Sequence, residues 1–142
     1  MNVQSYPDKM NLMIARACDE GWPTGLTHSL SPLPVSFHWS RTDIEALNLA
    51  ASGSMHVAVV DEELPGTGGL DVLRRIRNLG FELPCLLVSN RVDARLLRDA
   101  LDLNVFSVVE GGLSAAEMIV PVLLRLIRRV YHLDWGAGAG MN

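Results

Sequence analysis

The sequence predicts an α/β fold, a five-stranded parallel sheet with helices on both faces. Three observations carry this: five short apolar runs rich in β-branched residues, segments of helical period between them, and turn or capping residues at the junctions. Parallel neighbours need a crossover long enough to hold a helix, so the two periods alternate along the chain. Strands that are apolar throughout, instead of at every second residue, point to burial on both faces.

The first strand is read at residues 12–15, followed by a weak helical segment at 24–30. Across its start, Gly21-Trp22-Pro23-Thr24-Gly25 opposes helix propensity. A second strand at 35–39 leads to a helix at 43–51, with Thr42 or Ser40 as its N-cap. The third strand, 57–60, precedes a helix at 70–79 that Gly80 ends, since glycine accepts the positive φ of a helix stop. Strand 85–88 and helix 93–103 follow. The last strand, 105–109, leads to a long helix from 115 to about 132. There Ser114 and Glu117 have capping-box spacing, and Pro121 is expected to kink the helix. The domain is placed at residues 10–132. Residues 1–9 and 133–142, including Gly136-Ala137-Gly138-Ala139-Gly140, read as flexible termini or linker.

At 142 residues, 49% hydrophobic and 20% charged, the chain suits one domain with a real core. A net charge of −4, with basic residues dispersed, argues against direct nucleic-acid binding. No apolar run approaches the roughly 18 residues of a membrane span. Cys18 and Cys85 lack ligand spacing and read as small buried hydrophobes in a reducing, cytoplasmic setting. His28, His38, His56 and His132 form no catalytic pattern.

Chemistry concentrates in Asp61-Glu62-Glu63-Leu64-Pro65-Gly66-Thr67-Gly68-Gly69, directly after the third strand. Ligands of open α/β sheets sit beyond the carboxyl ends of the strands, so Asp61 is placed where a carboxylate can act as nucleophile. An aspartate can equally end a strand and begin a turn.

The spacing of Asp61, Pro65 and Gly69, with the amphipathic helix Leu70-Asp71-Val72-Leu73-Arg74-Arg75-Ile76-Arg77 behind them, resembles response-regulator receiver domains. The resemblance runs from about Met10 to Tyr131. It implies a flavodoxin-like, doubly wound receiver fold in which Asp61 accepts a phosphoryl group from a histidine kinase or phosphotransfer protein. Ser89, ending the fourth strand, matches the hydroxyl position that contacts the phosphoryl group; it can also cap the next helix. A bridging Mg2+ is implied, held by Asp61 with acidic residues after the first strand. A direct register puts Arg16 and Ala17 there, whereas a slide of two or three residues brings in Asp19, or Asp19 with Glu20. The two-residue slide also buries Leu26 and Leu30.

Three positions depart from the family. Where a lysine followed by proline is expected after the fifth strand, the chain has Glu110 and Gly111. Two unit charges 4 Å apart at an effective dielectric near 20 interact by about 4 kcal/mol, so reversing one sign opposes phosphorylation. Ser107 replaces the usual aromatic switch residue, with Phe106 adjacent. The resemblance therefore supports a phosphoaccepting receiver or a phosphorylation-independent pseudo-receiver. A small α/β hydrolase is the remote alternative. In the last helix Val122, Leu123, Leu126, Ile127 and Val130 form apolar stripes beside Arg125, Arg128 and Arg129. They read as a core face beside a solvated basic face or, as the resemblance implies, as part of a homodimer surface through the fourth and fifth helices, and the tail suggests an output domain in a longer chain.

Overall fold

A computed structural model describes residues 9–112 and 114–135. Its elements are β1 (Met10–Ala15), α1 (Trp22–Leu30), β2 (Val35–Ser40), α2 (Asp43–Ala51), β3 (Val57–Asp61), α3 (Gly69–Asn78), β4 (Cys85–Ser89), α4 (Ala94–Asp102), β5 (Ser107–Glu110) and α5 (Ala115–Tyr131). All strands are parallel, in the order β2-β1-β3-β4-β5. This is the expected doubly wound sheet, and the expectations differ from it mainly at element ends.

Successive side chains of a strand point to opposite faces, and here that alternation sorts the core into two layers. Leu12, Ile14, Val57, Val59, Leu86 and Val88 pack against α1 and α5. Met13, Ala15, Ala58, Val60, Cys85 and Leu87 pack against α2, α3 and α4. Every residue of β3 and β4 is buried, while the edge strand β2 is only partly covered. Continuous hydrophobicity in the central strands thus has its cause in helices on both sides.

Local chemistry sets the helix boundaries. Thr42 caps α2 by accepting from the Glu45 N–H at 3.2 Å, while Ser40 is buried in β2. Asp93 caps α4 by accepting from Leu96 N–H at 2.9 Å, leaving Ser89 free for another role. Gly80, at φ 91°, follows the end of α3 as expected. The capping box at Ser114 does not form. With φ −100° and ψ 14° its backbone lacks the extended geometry of a side-chain cap, and its carbonyl accepts from Glu117 and Met118 instead. α5 also passes Pro121 as one continuous helix, with that proline on the exposed side.

α1 begins earlier than its sequence suggested. Pro23 falls in the first turn, where a missing N–H costs nothing. Gly25 has a packing reason: a Cβ there would lie 2.8 Å from the Cβ of Ala116, so glycine lets α1 approach α5. β5 starts two residues later than expected. The packed domain also continues past Tyr131, since Leu133 and Trp135 lie partly buried against the α1/α5 layer. The Gly136–Gly140 run lies outside the described residues.

Candidate functional site

The register of the sheet builds the site. Ala15 pairs with Val60, so the residues that follow them, Arg16 and Asp61, emerge side by side. Asp61 in turn pairs with Val88, and Ser89 with Glu110. Arg16, Asp61, Ser89 and Glu110 therefore share the carboxyl edge of the sheet, where α/β folds place their ligands.

Asp61 is buried, 9% exposed, and both carboxylate oxygens are engaged. Oδ2 accepts from Arg16 Nη1 at 2.8 Å, and Oδ1 accepts from the Glu63 backbone N–H at 2.9 Å. The guanidinium lies 5.6 Å from the centre of the Trp22 ring, a cation–π contact that holds it over the start of α1. Arg16 is thus clasped between the carboxylate and the indole.

The loop after Asp61 explains its own spacing. A Cβ on Gly69 would lie 2.3 Å from the Asp61 carbonyl oxygen, so only glycine lets α3 start this close to the strand end. The Gly69 N–H donates to Glu62 O at 2.9 Å. Gly66, at φ 103°, passes against the Asp43 carboxylate, which accepts from Thr67 N–H at 3.2 Å and from its hydroxyl at 3.3 Å. Loss of water around Asp43 opposes its ionisation. The hydrogen bonds from Ile44 and Thr67, with the charge of Arg75, outweigh that and hold its pKa below the usual 3.8.

Ser89 is fully buried; its hydroxyl donates to Glu62 Oε1 and accepts from the Arg91 N–H at 3.0 Å. Glu110 ends β5 and is exposed. Gly111 donates its N–H to Ser89 O at 2.7 Å, a bond that proline at this position could not make. Phe106 belongs to the α1/α5 layer, with Arg129 over its ring, so it does not stand in for an aromatic beside α4. An open cavity of about 690 Å³ adjoins the edge, bordered by Glu62, Glu63, Asn90, Arg91, Asp93 and Asp99.

The expected metal set does not assemble. The direct register holds at the end of β1, so Arg16 takes the place that an acidic residue would need. Asp19 and Glu20 are exposed in the loop before α1, where the Asp19 carbonyl accepts from the Thr24 hydroxyl. Leu26 and Leu30 are buried nonetheless, because that loop absorbs the offset. Among the described residues no group of three or more His, Cys, Asp or Glu side chains could hold a metal ion. With a cation already on Asp61 Oδ2, these residues do not fit a divalent ion.

Cys85 is buried in β4, and burial pushes its thiol up to about 11. Cys18 corrects the sequence reading: it is exposed, since it falls in the loop beyond β1. Two contacts at this edge were missed, Arg16 to Asp61 and Glu62 to Ser89. The first was available in the direct register, which places Arg16 one residue past β1. The second depends on a side chain reaching across two loops, which no spacing reports.

No known protein-family profile matches the chain. Over 66 residues it is 35% identical to the response regulator MprA of Mycobacterium sp. strain KMS, a stretch covering 46% of this chain and 29% of that protein. The chain thus matches under a third of the length of the curated relatives. In backbone it is similar to the signal receiver domain of an HD domain-containing protein from Pseudomonas fluorescens Pf-5. That likeness has a TM-score of 0.76 and 20% identity, covering 93% of this chain and 96% of that one. It is also similar to the non-phosphorylated HemR receiver domain from Leptospira biflexa, with a TM-score of 0.73 and 24% identity over 84% of this chain and 94% of that one. No helix among the described residues is long and apolar enough to cross a membrane. With its 2-1-3-4-5 parallel sheet, its Asp61-Pro65-Gly69 corner and these likenesses, the chain has the receiver-domain fold of response regulators.

Proposed function

We propose that this domain is a receiver-fold signalling module that works through protein contacts, with Asp61 held as the ion-pair partner of Arg16 instead of serving as a phosphoacceptor. The 2.8 Å contact between Arg16 Nη1 and Asp61 Oδ2 carries the reading, because it occupies a carboxylate oxygen that a nucleophile needs free. Charge supports it. Glu62 and Glu110 stand on the same edge, and a phosphoryl group would add about two negative charges beside them. The carboxylate set needed for Mg2+ is replaced by a guanidinium.

The partner class follows from the fold's use in response regulators: a histidine kinase or phosphotransfer protein that docks without transferring phosphate, or an output domain. Leu97 and Leu101 of α4 and Met118 of α5 are exposed, which supports contacts through these helices, including pairing with a second copy. Two free cysteines fit a reducing cytoplasm. The alternative reading, phosphate transfer to Asp61, keeps its support in the position of Asp61 and Ser89.

Incubation with acetyl phosphate and Mg2+, followed by intact-mass measurement, separates the two. The wild-type chain is expected to stay unmodified. Arg16→Asp combined with Glu110→Lys is expected to gain an adduct that Asp61→Asn abolishes, and Glu110→Lys alone should give a smaller gain. A stoichiometric, Asp61-dependent adduct on the wild type would sink the proposal.

A further inference from the structure

Ser89 sits at the root of α4, and its partner is unusual in being a carboxylate of the chain itself. Glu62 is held by its backbone on both sides: its N–H donates to Val88 O at 2.8 Å, and its carbonyl accepts from Gly69 at 2.9 Å. From this anchored position Oε1 accepts the Ser89 hydroxyl. A carboxylate oxygen is a strong acceptor for a hydroxyl, and the serine side chain is fully buried. On its other side the Ser89 oxygen accepts from the Arg91 N–H at 3.0 Å, two residues before the Asp93 cap of α4. The bond therefore ties the β3–α3 loop to the segment that launches α4.

We infer that Glu62 is a positioning residue that fixes Ser89, the β4–α4 loop and the first turn of α4 in one arrangement, by a carboxylate built into the chain in place of an added phosphoryl group. The inference rests on the reading of Asp61 as ion-paired. It adds how the site is regulated: the α4 face bearing Leu97 and Leu101 is set constitutively, and changes only when Glu62 and Ser89 part.

Amide hydrogen exchange of the full chain tests this, with the N–H groups of Leu96 and Leu97 as reporters, both of which bond to Asp93. Glu62→Ala should speed their exchange about tenfold, the scale of one lost hydrogen bond. Ser89→Ala, which also loses the bond from Arg91 N–H, should be at least as fast, and the double variant should be no faster than Ser89→Ala. Glu62→Gln, which keeps an acceptor without charge, should fall between; Ser89→Thr and the neighbouring Glu63→Ala should stay near wild type. Wild-type exchange in Glu62→Ala, or additive effects in the double variant, overturns the inference. If Glu62→Ala does not fold, unchanged exchange in Glu62→Gln does so. The outcome is separable from the functional reading, since acetyl phosphate labelling of the wild type bears on Asp61 alone.

Discussion

The corners after β1 and after β3 lie side by side on the same sheet edge, yet one is set by backbone geometry and the other by a charge pair. After β3, Gly69 is required by the carbonyl of Asp61, and Gly66 by a positive φ against Asp43. After β1, the residue beside Asp61 is Arg16, and the loop runs on through exposed Ala17, Cys18, Asp19 and Glu20 before α1. The contrast teaches that one sheet edge can hold a corner fixed by main-chain contacts beside a corner fixed by opposite charges. Backbone collisions cannot be compensated locally, whereas a carboxylate accepts any cation that reaches it.

The sharpest way to break this contrast is Gly69→Ala. Its Cβ would meet main-chain atoms of Asp61 at 2.3 and 2.9 Å, which cannot swing aside, so a loss of about 3 kcal/mol in urea unfolding is expected. Gly53→Ala is the control. That residue has φ 76° with open space around it, and a loss of about 1 kcal/mol from strain alone is expected. Equal losses at the two sites would remove the geometric account of the β3–α3 corner.

Next comes Arg16→Met, expected to cost about 2 kcal/mol by leaving Asp61 buried without its cation. The estimate is scaled down from a fully buried pair because the Arg16 side chain is 26% exposed. Adding Asp61→Asn should recover most of the loss, since the amide oxygen can still accept from Glu63. Additive losses in that double-mutant cycle would show that Arg16 and Asp61 do not interact.

The smallest effect is a pH dependence at the β3–α3 corner. Asp43 has a pKa below 3.8 in the folded chain, so its contribution is fully present above the unfolded value and is lost as pH falls through the lower folded one. Protection of the Thr67 amide, which donates to Asp43, should fade over that acidic range. Asp43→Asn should flatten the profile, and a profile unchanged by that substitution would remove Asp43 as the tether of the loop.

Much of the architecture was legible in the chain. Val57–Val60 and Cys85–Val88 announce central strands because burial on both faces leaves no polar alternation, and Thr42 and Gly80 mark helix ends by bonds made within a few residues. The corner after Asp61 was legible through the resemblance that its spacing to Pro65 and Gly69 carries, and at Gly69 that spacing answers a backbone requirement. Errors came where a distant contact or the local backbone conformation overrode the preference of the sequence. Gly25 opposes helix on its own but suits α1 because Ala116 lies against it, and Ser114 has a capping sequence that its backbone conformation does not use.

By itself, then, the sequence determined the alternation of strands and helices, the two-faced burial of the sheet and the corner that presents Asp61. These depend on periodicity, propensity and glycine geometry, all of which act between near neighbours. Only the tertiary structure decided what Asp61 and Ser89 face. Arg16 reaches Asp61 across 45 positions and Ser89 reaches Glu62 across 27, and such pairs exist only once parallel strands have been brought into register.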